Sequence, residues 1–343
     1  MKRIASWIIP LAGTLLLGTA MPSAAQSSTA ALASTSPHGL PALAADIDAI
    51  TRQPRYAAAS WGIAVLALDS GRMVYAQHAG RLLQPASTAK LFTAALTLST
   101  LAADYRIPTQ LRSPAPVRHG RLDGPLLLYG MGDPTLGTPD ANPGWADALA
   151  GQLAARGVHA IHGDLVADDS YFAGPPLGSG WEASDLLGWF AAPASALSVH
   201  ENIVALTVTP GARAGQPARL DFTPEVAAIP LSGALDTSAP HSRDDVNLYR
   251  APGDSLLHVF GSVAAGTPPR TYRLALPDPA RQAGEELRAA LGRHGIRLEG
   301  RLRVLHWPER DDALRGEAQV LAEVLSPPVS DLPTGGLKPS QNL

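Results

Sequence analysis

Cysteine is absent from all 343 residues. Disulfides, thiolate zinc sites and lipidation at a signal-peptide cysteine are therefore excluded. Charge of one sign is lacking too: the net charge is -3 with 17% charged residues, so there is neither a basic footprint for nucleic acid nor an acidic tail. Lysine is the scarcest of the common charged residues. Of 27 Lys and Arg, only Lys2, Lys90 and Lys338 are lysines. A base-composition bias toward arginine explains the ratio but not where the exceptions fall. Lys90 lies three residues after Ser87, and Lys338 two before Ser340. Arginine stays protonated, whereas a lysine can be tuned to lose its proton, so these positions suggest chemistry that needs an amine.

One long apolar run is present, at the N-terminus. "MKRIASWIIPLAGTLLLGTAMPSAAQ" places Lys2 and Arg3 before an apolar stretch over 4–20 and small residues at 23–25. That order predicts a signal peptide, 1–25, cleaved between Ala25 and Gln26; an uncleaved anchor is the competing reading. Residues 26–40 are small and polar, as a flexible leader would be. The expected location is across the inner membrane, in the periplasm. The remaining length suits two or three domains.

The spacing of Leu43, Ile47 and Ile50 predicts a helix over 41–53. A hairpin follows, with strands over 61–68 and 73–77 about a turn at Asp69-Ser70-Gly71. The next helix runs from about 87 to 101, with Leu91, Ala95, Leu98 and Leu101 on one stripe. From about 105 the texture changes to short strands and turns, with helices at "PGWADALAGQLAARGV" and "DPARQAGEELRAALGRHGI". Residues 210–270 read as a small β-rich insertion with strands near "ARLDFTP", "DDVNLYRAPG" and "LLHVFGSVA". His159 and His162 flank a short strand and make a poor metal pair. Asp133 in "GMGDPTL" reads as a cap on its own backbone, while Asp123, Glu285 and Glu286 read as solvated.

Ser87 and Lys90, at i and i+3 of a helix start, lie on one face. A serine hydroxyl is a weak nucleophile until a neighbouring base takes its proton, and a neutral lysine can be that base. Burial and the positive end of the helix dipole both lower a lysine pKa. The Ser87 N–H, at the helix start, can donate to an oxyanion. The same four residues also read as a helix-capping serine followed by a solvated lysine, and Ser-x-x-Lys alone does not separate the two.

The wider stretch "LLQPASTAKLFTAALTLSTLAADYRIPTQL" resembles the active-site helix of penicillin-recognising serine peptidases, in particular the D-alanyl-D-alanine carboxypeptidase/endopeptidase family of class C low-molecular-mass penicillin-binding proteins. The resemblance continues through "LLLYGMGDPTL", "IHGDLVADDSYF", "GWFAAPASALSVHEN" and "EVLSPPVSDL". It implies an α+β fold: a β-lactamase/transpeptidase-like domain, incomplete here, interrupted by two inserted, mainly β domains. The implied organisation is 41–104 and 321–343 for the transpeptidase-like part, 105–209 and 271–320 for the first insertion, and 210–270 for the nested one. Carried over by position, Ser87 resembles the acyl-enzyme nucleophile and Lys90 its base. Ser340 resembles the serine that relays a proton to the leaving D-alanine, and Asn342 the amide that holds the substrate backbone. Asp168, with Asp169 beside it, matches an acidic residue that binds the stem peptide's amino group; the alternative is an acidic pair closing a strand into a turn.

The family completes its site with Lys-Thr-Gly or a close relative, and no such triplet occurs in this sequence. The chain as given is accordingly expected to be inactive, with Pro333 and Gly335-Gly336 expected to break any helix leading into Ser340. The implied substrates are peptidoglycan stem peptides and the implied covalent inhibitors β-lactams, with no cofactor, metal or nucleic acid. Two rivals stand: a non-catalytic wall-binding protein with a vestigial site, and a β-lactamase, which the long insertion between the first two motifs disfavours.

Overall fold

The run Leu126-Leu127-Leu128-Tyr129-Gly130 is buried at every position, as a strand covered on both faces must be. In the computed structural model, which describes residues 41–225, 229–309, 311–316, 318–338 and 340–342, this strand is the centre of a five-stranded sheet. The order is Leu302–Leu305, Leu165–Asp168, Leu126–Gly130, Pro108–Ser113, Gln319–Leu325. The first three are parallel; Pro108–Ser113 is antiparallel to both its neighbours. Successive side chains of a strand point to opposite faces. Leu126, Leu128, Leu165 and Ala167 accordingly enter the main core, and Leu127, Tyr129, Val166 and Leu305 form a second cluster.

Among the described residues there are six α-helices: α1 (Pro41–Thr51), α2 (Lys90–Thr100), α3 (Trp145–Ala155), α4 (Pro279–Arg293), α5 (Asp312–Gly316) and α6 (Leu332–Leu337). The main face of the sheet is covered by α3, which packs on Gln319–Leu325 and on α4, and by α4, which packs on Leu165–Asp168 and Leu302–Leu305. Helix α4 starts where the sequence says it should: the Asp278 side chain accepts from the Arg281 N–H at 2.8 Å and Pro279 takes the first turn. It can lie close to the sheet because Gly284 faces Leu302 and Ala167; a Cβ there would meet Leu302 Cδ1 at 2.5 Å.

The chain divides into two compact units, one ending at Pro85 and one running from Ala86 to Leu343. The first contains α1, a 3-10 turn at Pro54–Tyr56 and the expected hairpin, with strands Ile63–Leu66 and Met73–Gln77 bulged between Val65 and Leu66. Its turn closes through Gly71, whose φ of 65° suits glycine, donating to Ala67 O at 2.8 Å. Within the unit, Tyr75 donates to Asp48 Oδ1 at 2.7 Å. The expected signal peptide and leader, 1–40, lie outside the described residues.

The three strands expected within 210–270 are present but belong to two sheets. Arg219–Thr223 pairs with Ile203–Thr209, which also pairs with Arg270–Ala275. Asp245–Tyr249 and Leu257–Ala264 pair in the other sheet, where Leu257–Ala264 also carries Leu231–Gly233 and Asp236–Ser238 along its opposite edge. Two of the acids expected to be solvated are not: Glu285, its side chain 20% exposed, pairs with Arg288 on its own helix, and Glu286 is drawn into a network. Glu286 accepts from His200 Nε2 at 2.8 Å and from Gln282 Nε2 at 2.8 Å, because the α4 face that carries it is turned inward.

Candidate active site

The helix expected over 87–101 forms in two pieces, a 3-10 turn at Ala86–Ala89 carrying Ser87 and then α2. Ser87 is exposed and Lys90 half-buried one turn further on, with Lys90 Nζ donating to Ser87 Oγ at 3.4 Å. The residue before the serine, Ala86, is held at φ 46°, a left-handed conformation that costs a non-glycine residue about 1–2 kcal/mol. Such local strain persists only where surrounding structure enforces it.

Ser340 arrives from the other end of the chain, just beyond α6. The sequence expectation that Pro333 and the glycine pair would abolish a helix here is not met: the six-residue helix Leu332–Leu337 forms, with its proline in the first turn, where no helical hydrogen bond is lost. Its C-terminus explains the placement of the serine. The Gln341 N–H reaches back to Gly336 O at 2.8 Å and the Ser340 N–H to Leu337 O at 3.2 Å, the paired bonds of a Schellman cap, with Ser340 at φ 59° in the left-handed position usually given to glycine.

The two segments meet through their polar atoms. Ser340 Oγ donates to Ser87 Oγ at 2.7 Å. Lys90 Nζ donates to Ser340 Oγ at 3.2 Å, to Ser340 O at 2.9 Å and to Asn342 Oδ1. The Asn342 amide is turned by Nδ2 donating to the Phe190 carbonyl at 2.8 Å. Phe190 lies in a 3-10 turn, Trp189–Ala191, beside Trp181 and Trp189, and Arg273 stacks 4.5 Å from the Trp189 ring centre. Among the described residues no carboxylate pairs with Lys90, and burial holds its ammonium below the ordinary lysine range. Four of the five expected site residues therefore converge: Ser87, Lys90, Ser340 and Asn342.

Asp168 does not join them. It ends the Leu165–Asp168 strand at 1% exposure. Its carboxylate accepts from Arg315 Nε at 2.9 Å and Arg315 Nη2 at 2.8 Å, and from the N–H and hydroxyl of Ser170 at 2.9 and 2.8 Å. A carboxylate bidentate to a guanidinium is not free to bind a substrate ammonium. The expectation of a cleft-facing Asp168 is corrected to the alternative weighed beside it, a strand-closing acid. Its neighbour Asp169 accepts from Ser195 Oγ at 2.7 Å and pairs with His306 Nδ1 at 2.9 Å. Sequence reasoning missed the Phe190 carbonyl, which, as a backbone group, leaves no trace in residue identity.

Residues 43–343 match the D-Ala-D-Ala carboxypeptidase 3 (S13) family. Over 349 aligned residues the chain is 33% identical to a D-alanyl-D-alanine carboxypeptidase of Actinomadura sp. (strain R39), which takes in 99% of this chain and 61% of that protein. It is 28% identical over 261 residues to the D-alanyl-D-alanine carboxypeptidase DacB of Haemophilus influenzae, covering 75% of this chain and 51% of that one. The chain thus spans about half to three fifths of the length of these relatives. The crystal structure of penicillin binding protein 4 (dacB) from Haemophilus influenzae superposes with a TM-score of 0.69 at 24% identity, over 82% of this chain and 59% of that one. A second structure of that protein, complexed with a β-lactam, gives 0.60 at 23% identity over 80% and 56%. The fold is the α+β penicillin-recognising fold with additional domains. A match running from the first helix to the last residue leaves little of the chain outside it, and the chain belongs to the D-Ala-D-Ala carboxypeptidase 3 (S13) family.

Proposed function

We propose that this protein is a serine-type D-Ala-D-Ala carboxypeptidase/endopeptidase acting on peptidoglycan stem peptides. The observation that carries the reading is the meeting of Ser87, Lys90 and Ser340 around one hydroxyl from positions some 250 residues apart. A neutral Lys90 takes the Ser87 proton as Oγ attacks the carbonyl between the two D-alanines. The carbonyl oxygen becomes an oxyanion, toward which the Ser87 N–H, at a helix start, is available to donate. The C–N bond then breaks, and the proton held by Lys90 passes through Ser340 Oγ to the departing amine. Water, deprotonated by the same lysine, hydrolyses the Ser87 ester. That no carboxylate among the described residues pairs with Lys90 supports this role, since an ion-paired ammonium would give up its proton reluctantly. Asn342 is the group that would hold the substrate backbone. β-Lactams fit as covalent inhibitors because opening the lactam by Ser87 parallels the first step. The setting that suits this substrate is the periplasm, reached through the N-terminal export signal.

The test is labelling with a fluorescent penicillin, measured on the protein expressed from its complete gene. A Ser87-dependent adduct is expected, lost in Ser87→Ala. No adduct in the parent, or an adduct that survives Ser87→Ala, overturns the assignment, and the first of these results would favour a wall-binding protein with a vestigial site. Rapid turnover of the penicillin would instead favour a β-lactamase.

A further inference from the structure

Helices α2 and α6, at whose ends the serine cluster sits, are each joined to the five-stranded sheet by a single chain crossing, and the two crossings lie side by side. Residues 101–107 lead from α2 into the Pro108–Ser113 strand, and 326–331 lead from the Gln319–Leu325 strand to α6. Three bonds tie them as an antiparallel ladder: Ser330 N–H to Ala103 O at 3.0 Å, Val329 N–H to Tyr105 O at 2.8 Å, and Ser326 N–H to Ile107 O at 2.9 Å. Two features weaken this ladder. Pro327 and Pro328 have no N–H to give it. The Ile107 N–H, which in a regular ladder would return a bond to the carbonyl of residue 326, does not do so.

Both gaps are closed at Ser326, which is fully buried. Its hydroxyl accepts the Ile107 N–H at 2.9 Å and donates to Pro327 O at 2.7 Å. Its carbonyl is left to Arg106, whose Nη1 donates at 2.9 Å. One side chain thus fixes the register of the two crossings at the point where prolines interrupt it. From there the path to the site is short on both sides, through α2 to Lys90 and Ser87, and through Val329, also buried, and α6 to Ser340.

We infer that Ser326 is a positioning residue for the serine cluster, coupling α2 to α6 through the paired crossings. The inference rests on the role proposed above for Ser87, Lys90 and Ser340. Without the hydroxyl the part-buried Ile107 N–H loses its partner, the crossings can slip, and the Ser87–Ser340 and Lys90–Ser340 contacts lose their common frame. Misplacement of reacting groups by about 1 Å can cost on the order of 100-fold in rate.

Ser113, at the far end of the Pro108–Ser113 strand into which Ile107 leads, supplies a matched control. It too is fully buried, its hydroxyl donating to Pro125 O at 2.8 Å and accepting the Ala115 N–H at 3.1 Å. The experiment compares Ser326→Ala, Ser113→Ala and Arg106→Met with the parent by hydrogen exchange and by the concentration dependence of penicillin acylation. In Ser326→Ala, exchange should quicken together in 90–100 and 332–342 and stay parental in α3 and α4. The limiting acylation rate should fall roughly 10- to 100-fold with the half-saturating penicillin concentration unchanged. Ser113→Ala should do neither, and Arg106→Met should show a smaller effect of the Ser326→Ala kind. Equal loosening of both site segments by Ser113→Ala, or parental exchange there in Ser326→Ala, overturns the inference. Should Ser326→Ala fail to fold, the exchange pattern of Arg106→Met decides by the same criterion. A parent that takes no penicillin label refutes the proposed function, while the exchange comparison still decides whether Ser326 couples the two helices.

Discussion

Lys90 and His306 are both held by groups from distant parts of the chain, and their surroundings differ in one respect. Around Lys90 stand two serine hydroxyls, a backbone carbonyl and an amide oxygen. Around His306 stand two carboxylates, Asp169 at 2.9 Å and Asp278 at 3.6 Å. The pKa shifts run in opposite directions: burial lowers Lys90, while hydrogen bonds to Asp169 and then Asp278 push His306 up to about 10. The Asp168–Arg315 pair belongs with His306 as a cation locked by a carboxylate. A cation paired with a carboxylate serves as a fastening, whereas one surrounded by neutral oxygens keeps a proton it can exchange. The difference separates a fastening from the cluster to which the chemistry is assigned in the proposal above.

The largest expected effect lies on the neutral-oxygen side. Lys90→Arg retains the charge and removes the base. The penicillin acylation rate should fall about 10²- to 10⁴-fold, the usual contribution of a general base, while the unfolding midpoint in urea barely moves. An acylation rate equal to the parent's would mean that the lysine is only a counter-charge, and the contrast with His306 would collapse.

On the carboxylate side the expected damage is to stability. Arg315→Met leaves Asp168 buried with its strongest partner gone, and removing one member of a buried pair typically costs about 3–5 kcal/mol. Denaturant unfolding followed by tryptophan fluorescence would read it. A cost below about 1 kcal/mol, the scale of an exposed pair, would mean that the geometry overstates the fastening. Leu128→Ala, fully buried on the main core face, provides the apolar reference at about 2–5 kcal/mol, with the serine cluster still competent in the fraction that remains folded.

The same contrast explains what could be read from the sequence. Ser87 and Lys90 share a helix turn, so their meeting follows from spacing alone. The central core strand follows from the uninterrupted apolar run 126–130, whereas 108–113 alternates in burial with a threonine, a leucine and a serine facing inward, a pattern its residue types do not announce. The partner of Asp168 is 147 residues away on a five-residue helix that no apolar period announces, so its carboxylate looked available when it was not. For Glu286 the partner is His200, 86 residues away. The return helix was hidden by local rules, since Pro333 and two glycines argue against a helix until the Schellman bonds to Gly336 and Leu337 are seen. The apolar stripe of α2 taught the opposite lesson. Leu91 and Leu98, with Phe92 and Leu96 beside them, are exposed, so helical period identified the helix without identifying a buried face.

The smallest effect, and the finest test of the comparison, concerns pH. The His306 side chain is about half exposed and faces Asp169, with 12% of its side chain exposed, and Asp278, with 23%, while Arg281 leans on Asp278 from α4 at 3.3 Å. An unfolded histidine titrates near 6.5, and the folded one near 10. Below about pH 6.5 both states are protonated and the contribution of the two ion pairs is fully present. Between about 6.5 and 10 the unfolded chain gives up the proton that the folded chain keeps, so the contribution shrinks as pH rises and is gone once the folded imidazolium itself deprotonates. Solvent screening of a half-exposed ring keeps the slope shallow. In His306→Gln that slope should flatten, with a lower urea midpoint at pH 6.5 and convergence on the parent near pH 10. Lys90→Met offers the counter-case, because a lysine depressed by burial costs the folded state least when it is neutral. Removing it should help slightly at neutral pH and make no difference above the ordinary lysine range. Parallel pH profiles for the parent and His306→Gln would show that the carboxylates do not hold His306 as a fastening, and that only the Asp168–Arg315 pair carries that side of the comparison.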